Sequence, residues 1–340
     1  MTDGDDDRPP TYGLFLNMGR NLGVDAAGVV ALTLEQAAQA EDAGFQELWV
    51  TEHHFIPFGI NPSALTAAAF LLGRTTCARV GTAVTLSPLH NPIELAERGA
   101  LLDQLSGGRF ELGLGRGGYL KDYEVLGVDT ARWDDEPLHS ARTVLDAWRN
   151  PDLTQPEHTT GPSTLQPPVL TTPHPPLLMA TRSESAIRFA AQNKLPLQHY
   201  FASPVRARLD QEQIYRDASS SAVDPAHLHT MIVVVDGDEE ATRRDLTTQL
   251  TQSFRDGDWP HVPQGGPGHV DANGRPVDRA VMARSVAEGA IIGPAGKVRD
   301  EIERFRATTG ANRLAFYVEA IADPARIRTT IDALGTHLLK

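Results

Sequence analysis

The chain has 340 residues, enough to bury one substantial core, and no composition break near its middle divides it in two. Its net charge of -13 argues against nucleic-acid and anionic-membrane partners, because the average field repels polyanions, and favours work on small molecules. The one cysteine, Cys77, excludes an intramolecular disulfide and any multi-cysteine metal or cluster site.

Residues 1–10, MTDGDDDRPP, lack the cationic start and apolar run of a signal peptide and read as a disordered acidic start to a cytoplasmic chain. Residues 11–340 read as one domain, with no stretch near the ~20 apolar residues of a membrane span. A strand is predicted over 12–17, a helix over 33–43 and a strand over 46–51. The unit repeats as strand 80–86, helix 92–105 opened by Pro92, and strand 109–114 introduced by the turn Ser106-Gly107-Gly108. Strands over 177–180, 197–201, 229–235 and 313–318 follow, separated by helical patterns such as 183–192 and 238–254. Eight strands in βα order without a second core predict an α/β fold, a closed TIM (β/α)8 barrel rather than an open doubly wound sheet. Two segments interrupt the pattern. Residues 151–176 are rich in proline and threonine; residues 256–288 are rich in glycine, proline and charge without clear amphipathic period, and are expected to form a mobile lid.

A TIM barrel places its active site at the C-terminal ends of its strands, and unusual residues collect there. The second strand runs into Glu52-His53-His54-Phe55. Side chains alternate along an extended segment, so His53 and His54 do not aim at one metal, while Glu52 shares a side with His54; no metal site is expected. Both histidines can equally be hydrogen-bonded structural groups. Gly113 to Gly118 suggests a dinucleotide loop, but the glycine spacing is not the standard one and Tyr119-Leu120-Lys121-Asp122-Tyr123 follows instead of a directly opening helix. A loop where backbone approaches a flat ring or phosphate fits better, with Arg116 able to fork onto phosphate oxygens. Thr181-Arg182-Ser183-Glu184-Ser185 puts hydroxyls, a guanidinium and free amides at a helix start, either as a phosphate seat or as an ordinary N-cap by Ser183 or Ser185.

These segments resemble a known family. Glu47-Leu48-Trp49-Val50-Thr51-Glu52-His53-His54-Phe55, Val80-Gly81-Thr82-Ala83, the run from Leu102 to Phe110, Gly115-Arg116-Gly117 and Lys121-Asp122 are similar to bacterial luciferase-like flavin-dependent monooxygenases, in particular the luciferase alpha subunit. The resemblance implies a TIM barrel holding reduced FMN at its strand ends, a homodimer, and insertion of one oxygen atom into a small organic substrate through a flavin hydroperoxide. His53 matches the family's catalytic histidine. Arg116, Arg182, Ser183 and Ser185 match phosphate-binding positions, and Ala83-Val84 matches a non-prolyl cis peptide beneath the flavin. Tyr119 and Tyr200 fall in the substrate pocket, Tyr200 in place of a tryptophan after the sixth strand. His54 and Glu97 match positions near the subunit interface. Gly115 stands where luciferases carry a reactive cysteine, so light emission is not expected. With no second nucleotide-binding domain, a separate NAD(P)H-dependent flavin reductase is expected as partner. His53, with an unperturbed pKa of ~6.5, would exchange protons near neutrality. The rivals are a deazaflavin-dependent dehydrogenase on the same barrel and a non-catalytic flavin-binding protein.

Overall fold

A parallel strand covered on both faces reads as a near-continuous apolar run. Such runs build the barrel of the computed structural model, which describes residues 9–19, 23–135, 137–153, 163–221, 225–256 and 278–340. The strands are β1 (Thr11–Leu16), β2 (Glu47–Val50), β3 (Arg79–Thr82), β4 (Thr85–Leu86), β5 (Phe110–Gly115), β6 (Leu177–Ala180), β7 (Gln198–His199), β8 (Leu228–Val235), β9 (Ile291–Gly293) and β10 (Arg313–Tyr317). All their pairings are parallel. The order β4-β5-β3-β2-β1-β10-β8-β7 carries β6 on β5, and a parallel bridge between Met179 and Leu197 closes β6 onto β7. The chain is a TIM barrel.

The predicted strands are present, with three differences. The strand expected over 80–86 is split into β3 and β4 by the Ala83-Val84 peptide, which is cis. The strand expected over 197–201 shortens to β7, and the unpredicted β9 pairs with the C-terminal end of β8. The first helix, Ala26–Ala43, starts well before residue 33. Its opening turns contain Gly28, Val29 and Val30, poor helix formers, but Asp25 caps it by accepting from the Gly28 N–H, and Gly44 ends it in the left-handed region.

The expected lid needs correction at its end. Arg279–Glu288 is a helix capped by Asp278, which accepts from the N–H groups of Ala280 and Val281; it buries Ala283, Val286 and Ala287 and packs on helix Glu239–Asp256. Its buried stripe uses small side chains among arginines, and so gives little apolar period in sequence. Residues 257–277 of the expected lid, and residues 1–8 of the expected acidic start, lie outside the described residues. In the proline-rich segment, residues 154–162 also lie outside them; beyond, Asp103 Oδ2 accepts from Leu170 N–H at 2.7 Å and Thr171 N–H at 2.8 Å, tying this stretch to helix Pro92–Ser106.

Inside the barrel the indole of Trp49 dictates its neighbours. A Cβ on Gly81 would stand 2.2 Å from the ring and one on Gly13 3.0 Å, so the flanking strands need glycine at both places. Below Trp49, Arg313 lies between Glu47 (2.7 Å) and Glu111 (2.6 Å), and Arg79 also reaches Glu111. Both glutamates are 2% exposed or less. This network plugs the N-terminal end and leaves the other end as the open one. Removing one partner of a buried pair strands a charge, so Arg313→Met is expected to cost about 3 kcal/mol or more. Chemical denaturation checks this; a midpoint equal to wild type would contradict it.

Candidate active site

A cavity of about 550 Å³ occupies the C-terminal mouth of the barrel. It brings together His53, Ala83, Val84, Gly115, Arg116, Tyr119, Arg182, Ser183, Ser185 and Tyr200 from five strand ends and the loops after them. Sequence proximity alone joins none of these groups; the closed strand order does. The two residues assigned to assembly lie elsewhere. Glu97 is exposed on helix Pro92–Ser106, whereas His54 is closed off within the chain, 9% exposed, with Nε2 3.6 Å from Glu52. The expected sharing of a side by Glu52 and His54 is thus present.

One flank is built for an anion. Helix Glu184–Gln192 begins with its N-cap Ser183 making no side-chain cap bond; the Ser183 hydroxyl instead lies 2.8 Å from the Ser185 hydroxyl. The ordinary N-cap expected of Ser183 or Ser185 is therefore not formed, and first-turn amides are left to face a ligand. The Arg116 guanidinium sits 4.4 Å over the Trp133 ring. Arg182 has its pKa lowered, first by burial and then by the like charge of Arg116. Two guanidiniums brought this close, at a positive helix end, suit a phosphate monoester dianion. A second flank is flat and tight: a Cβ on Gly115 would stand 2.5 Å from Val84 Cγ2, beside the cis peptide. Residue 115 can lie against this wall only without a side chain.

His53 is held from three directions. Its ring packs edge-on to Phe58 at 5.0 Å, its backbone N–H donates to Asn61 O at 2.8 Å, and its Nε2 lies 3.2 Å from Asn17 Oδ1. Asn17 Nδ2 donates to Phe58 O, which assigns Oδ1 as acceptor and puts the imidazole proton on Nε2. Nδ1 then carries the lone pair. Burial pushes the His53 pKa down to about 4, with the charge of Glu52 opposing and His54 assisting. The expected proton exchange near neutrality is corrected accordingly: the ring is neutral there, because its cation is poorly solvated.

Two carboxyl groups at the same mouth were not singled out as site residues. Glu52 is 2% exposed; burial opposes its ionisation, but His54, His90 and the Ala64 N–H overcome this and hold it at about 2. Asp122 is 1% exposed, and burial raises its carboxyl to about 7, helped by Glu52 and opposed by His54. Its Oδ1 has no hydrogen-bond partner. Asp122 belongs to the resembling segment Lys121-Asp122, but the resemblance gave it no role and does not reveal its burial.

The model of the luciferase-like monooxygenase family matches residues 11–313. The alkanal monooxygenase alpha chain of Photorhabdus luminescens is 39% identical over 109 residues, 32% of this chain and 28% of that one. The oxygenase component of a flavin-dependent trigonelline monooxygenase from Acinetobacter baylyi is 31% identical over 168 residues, 47% of this chain and 45% of that one. The chain thus spans less than half the length of these curated relatives. Among solved structures, a monooxygenase from Streptomyces bottropensis superposes with a TM-score of 0.76 at 22% identity, covering 97% of this chain and 98% of that one. An F420-dependent secondary alcohol dehydrogenase superposes with a TM-score of 0.72 at 18% identity, covering 97% and 98%. Both share the fold.

Proposed function

The chain belongs to the luciferase-like monooxygenase family, and on that premise we propose that it is the oxygenase of a two-component system. It holds reduced FMN at the barrel mouth and transfers one atom of dioxygen to a small organic molecule, the other leaving as water. The observation that carries this reading is the anion seat of Arg116, Arg182, Ser183 and Ser185 at the uncapped helix start, in the same cavity as the Gly115 wall. These residues fit a flavin phosphate at one end and a ring face at the other. Bound there, reduced flavin supplies the electrons that activate dioxygen.

The chain's own residues do the rest. Arg116 and Arg182 fix the phosphate, Ala83, Val84 and Gly115 give the ring a flat wall, and Tyr119 and Tyr200 bound the space left for substrate. His53 Nδ1 accepts a proton at the mouth while Asn17 holds the ring's orientation. With glycine at 115 and no thiol at that place, light emission is not part of the proposal. The assembly is a homodimer formed through the face of helix Pro92–Ser106 that carries Glu97, Leu101 (45% exposed) and Leu105 (72% exposed). A monomeric mass by light scattering would contradict it.

The relative named as an oxygenase component supports a separate reductase. The purified chain is therefore expected to oxidise no NADH until a flavin reductase and FMN are added. Steady NADH oxidation by the chain and FMN alone, matching product formation, would overturn the two-component reading.

A further inference from the structure

Beside the cavity, which His199 also lines, three donors from three elements converge: His199 on β7, His229 on β8 and Glu212 on helix Val205–Ala218. The two Nε2 atoms lie 3.0 and 3.2 Å from the same oxygen, Glu212 Oε1, and the side chains are 1%, 2% and 5% exposed. These separations are short enough for hydrogen bonds, yet neither His199 Nε2 nor Glu212 Oε1 has a hydrogen-bond partner. Buried polar atoms left in this state are costly and ask for a missing partner, an ion among them. One ligand atom from each of the three side chains lies within 4.8 Å of the other two, the clustering that shared coordination requires. With bonds of ~2.0–2.2 Å at tetrahedral angles, donors stand about 3.3–3.6 Å apart, a few tenths longer than the two histidine-to-glutamate separations of 3.0 and 3.2 Å.

We propose that His199, Glu212 and His229 form a buried site for a divalent transition metal of the zinc class. Two imidazole nitrogens and one carboxylate oxygen are a borderline donor set that favours zinc over the oxygen-seeking magnesium and calcium ions. The second carboxylate oxygen of Glu212 faces Arg216 at 3.9 Å, which orients the first toward the rings. His227, though adjacent, is excluded: its Nδ1 accepts from Leu197 N–H at 2.9 Å, so its Nε2 carries the proton. Water completes four-coordination. The role is positioning. β7 leads directly into Tyr200 and Phe201 on the cavity wall, and Arg208, one helical turn before Glu212, donates to the carbonyls of Tyr200, Phe201 and Ser203. A metal here fastens β7, β8 and that helix behind the wall, and the inference stands whatever the cavity binds.

The test uses tag-free full-length protein, stripped with chelator, dialysed, and titrated with zinc against a chromophoric competitor and separately with cobalt. The expected result is one equivalent per chain, a visible four-coordinate cobalt spectrum, and a rise in Tm on loading. Glu212→Gln should keep the fold by circular dichroism and weaken zinc by more than the ~10–100-fold typical of losing an outer-shell partner. If that variant does not fold, His199→Gln takes its place. Cobalt remaining spectrally like the free ion, or equal zinc affinity in wild type and a folded variant, would overturn the proposal.

Discussion

The double variant Arg116→Ala/Arg182→Ala is expected to bind FMN about a thousandfold more weakly than wild type. Each hydrogen bond to a charged group contributes roughly 1.5–3 kcal/mol, and two losses near 2 kcal/mol each make a factor on the order of 10³. Riboflavin, which lacks the phosphate, isolates the cause: its affinity should stay within a few fold, because the ring wall of Ala83, Val84 and Gly115 is untouched. The two single variants should not be equivalent. Arg116 is pre-oriented by its stack on Trp133, whereas Arg182 pays a like-charge penalty that an arriving dianion removes. Fluorescence titration with both ligands decides the matter. Equal weakening of FMN and riboflavin would indicate a collapsed mouth, and no change in either would remove the phosphate seat from the account.

His53→Ala is expected to lower turnover by about 10²–10⁴-fold, the range for loss of a positioned proton-transfer group, while flavin affinity changes by only a few fold. The split between rate and binding is the informative part. His53 is anchored through Asn17, Asn61 and Phe58, so a purely structural role would instead lower Tm and affinity together. The pH profile gives an independent reading. Burial places the imidazole at about 4, so the ring is neutral and Nδ1 is able to accept at neutral pH; activity dependent on it is lost only as pH falls toward about 4. An acid limb near ~6.5, the unperturbed histidine value, that vanishes in His53→Gln would show the ring to be solvated and the mechanism to need its cation.

The barrel was legible because most of its strands announce themselves locally, the three-residue β9 (Ile291–Gly293) excepted. Apolar runs such as 229–235, the glycine turn at 106–108 and the Pro92 helix start are short-range signals, and their βα order leaves few topologies. The cavity residues were legible for a different reason: most lie at strand ends, and the resemblance attached roles to them. What stayed hidden depends on tertiary burial. The first turns of the helix Ala26–Ala43 hide behind glycine and valine, and the helix Arg279–Glu288 behind arginines, until packing and caps override propensity. The depressed pKa of His53 and the raised one of Asp122 come from side chains closing over them. His199, Glu212 and His229 carry no metal-ligand spacing at all; β7, β8 and a helix meet only once the barrel closes.

The most direct test of oxygen activation is to load the protein anaerobically with photoreduced FMN, mix it with oxygenated buffer in a stopped-flow spectrometer, and follow the return of the oxidised spectrum. Reoxidation is expected in distinct phases, with the last far slower than for free reduced FMN in the same buffer, because the mouth of the barrel holds the flavin and excludes water. Single-phase reoxidation at the free-flavin rate, in protein shown to bind reduced FMN, would contradict this expectation and favour a hydride-transferring or passive flavin-binding barrel.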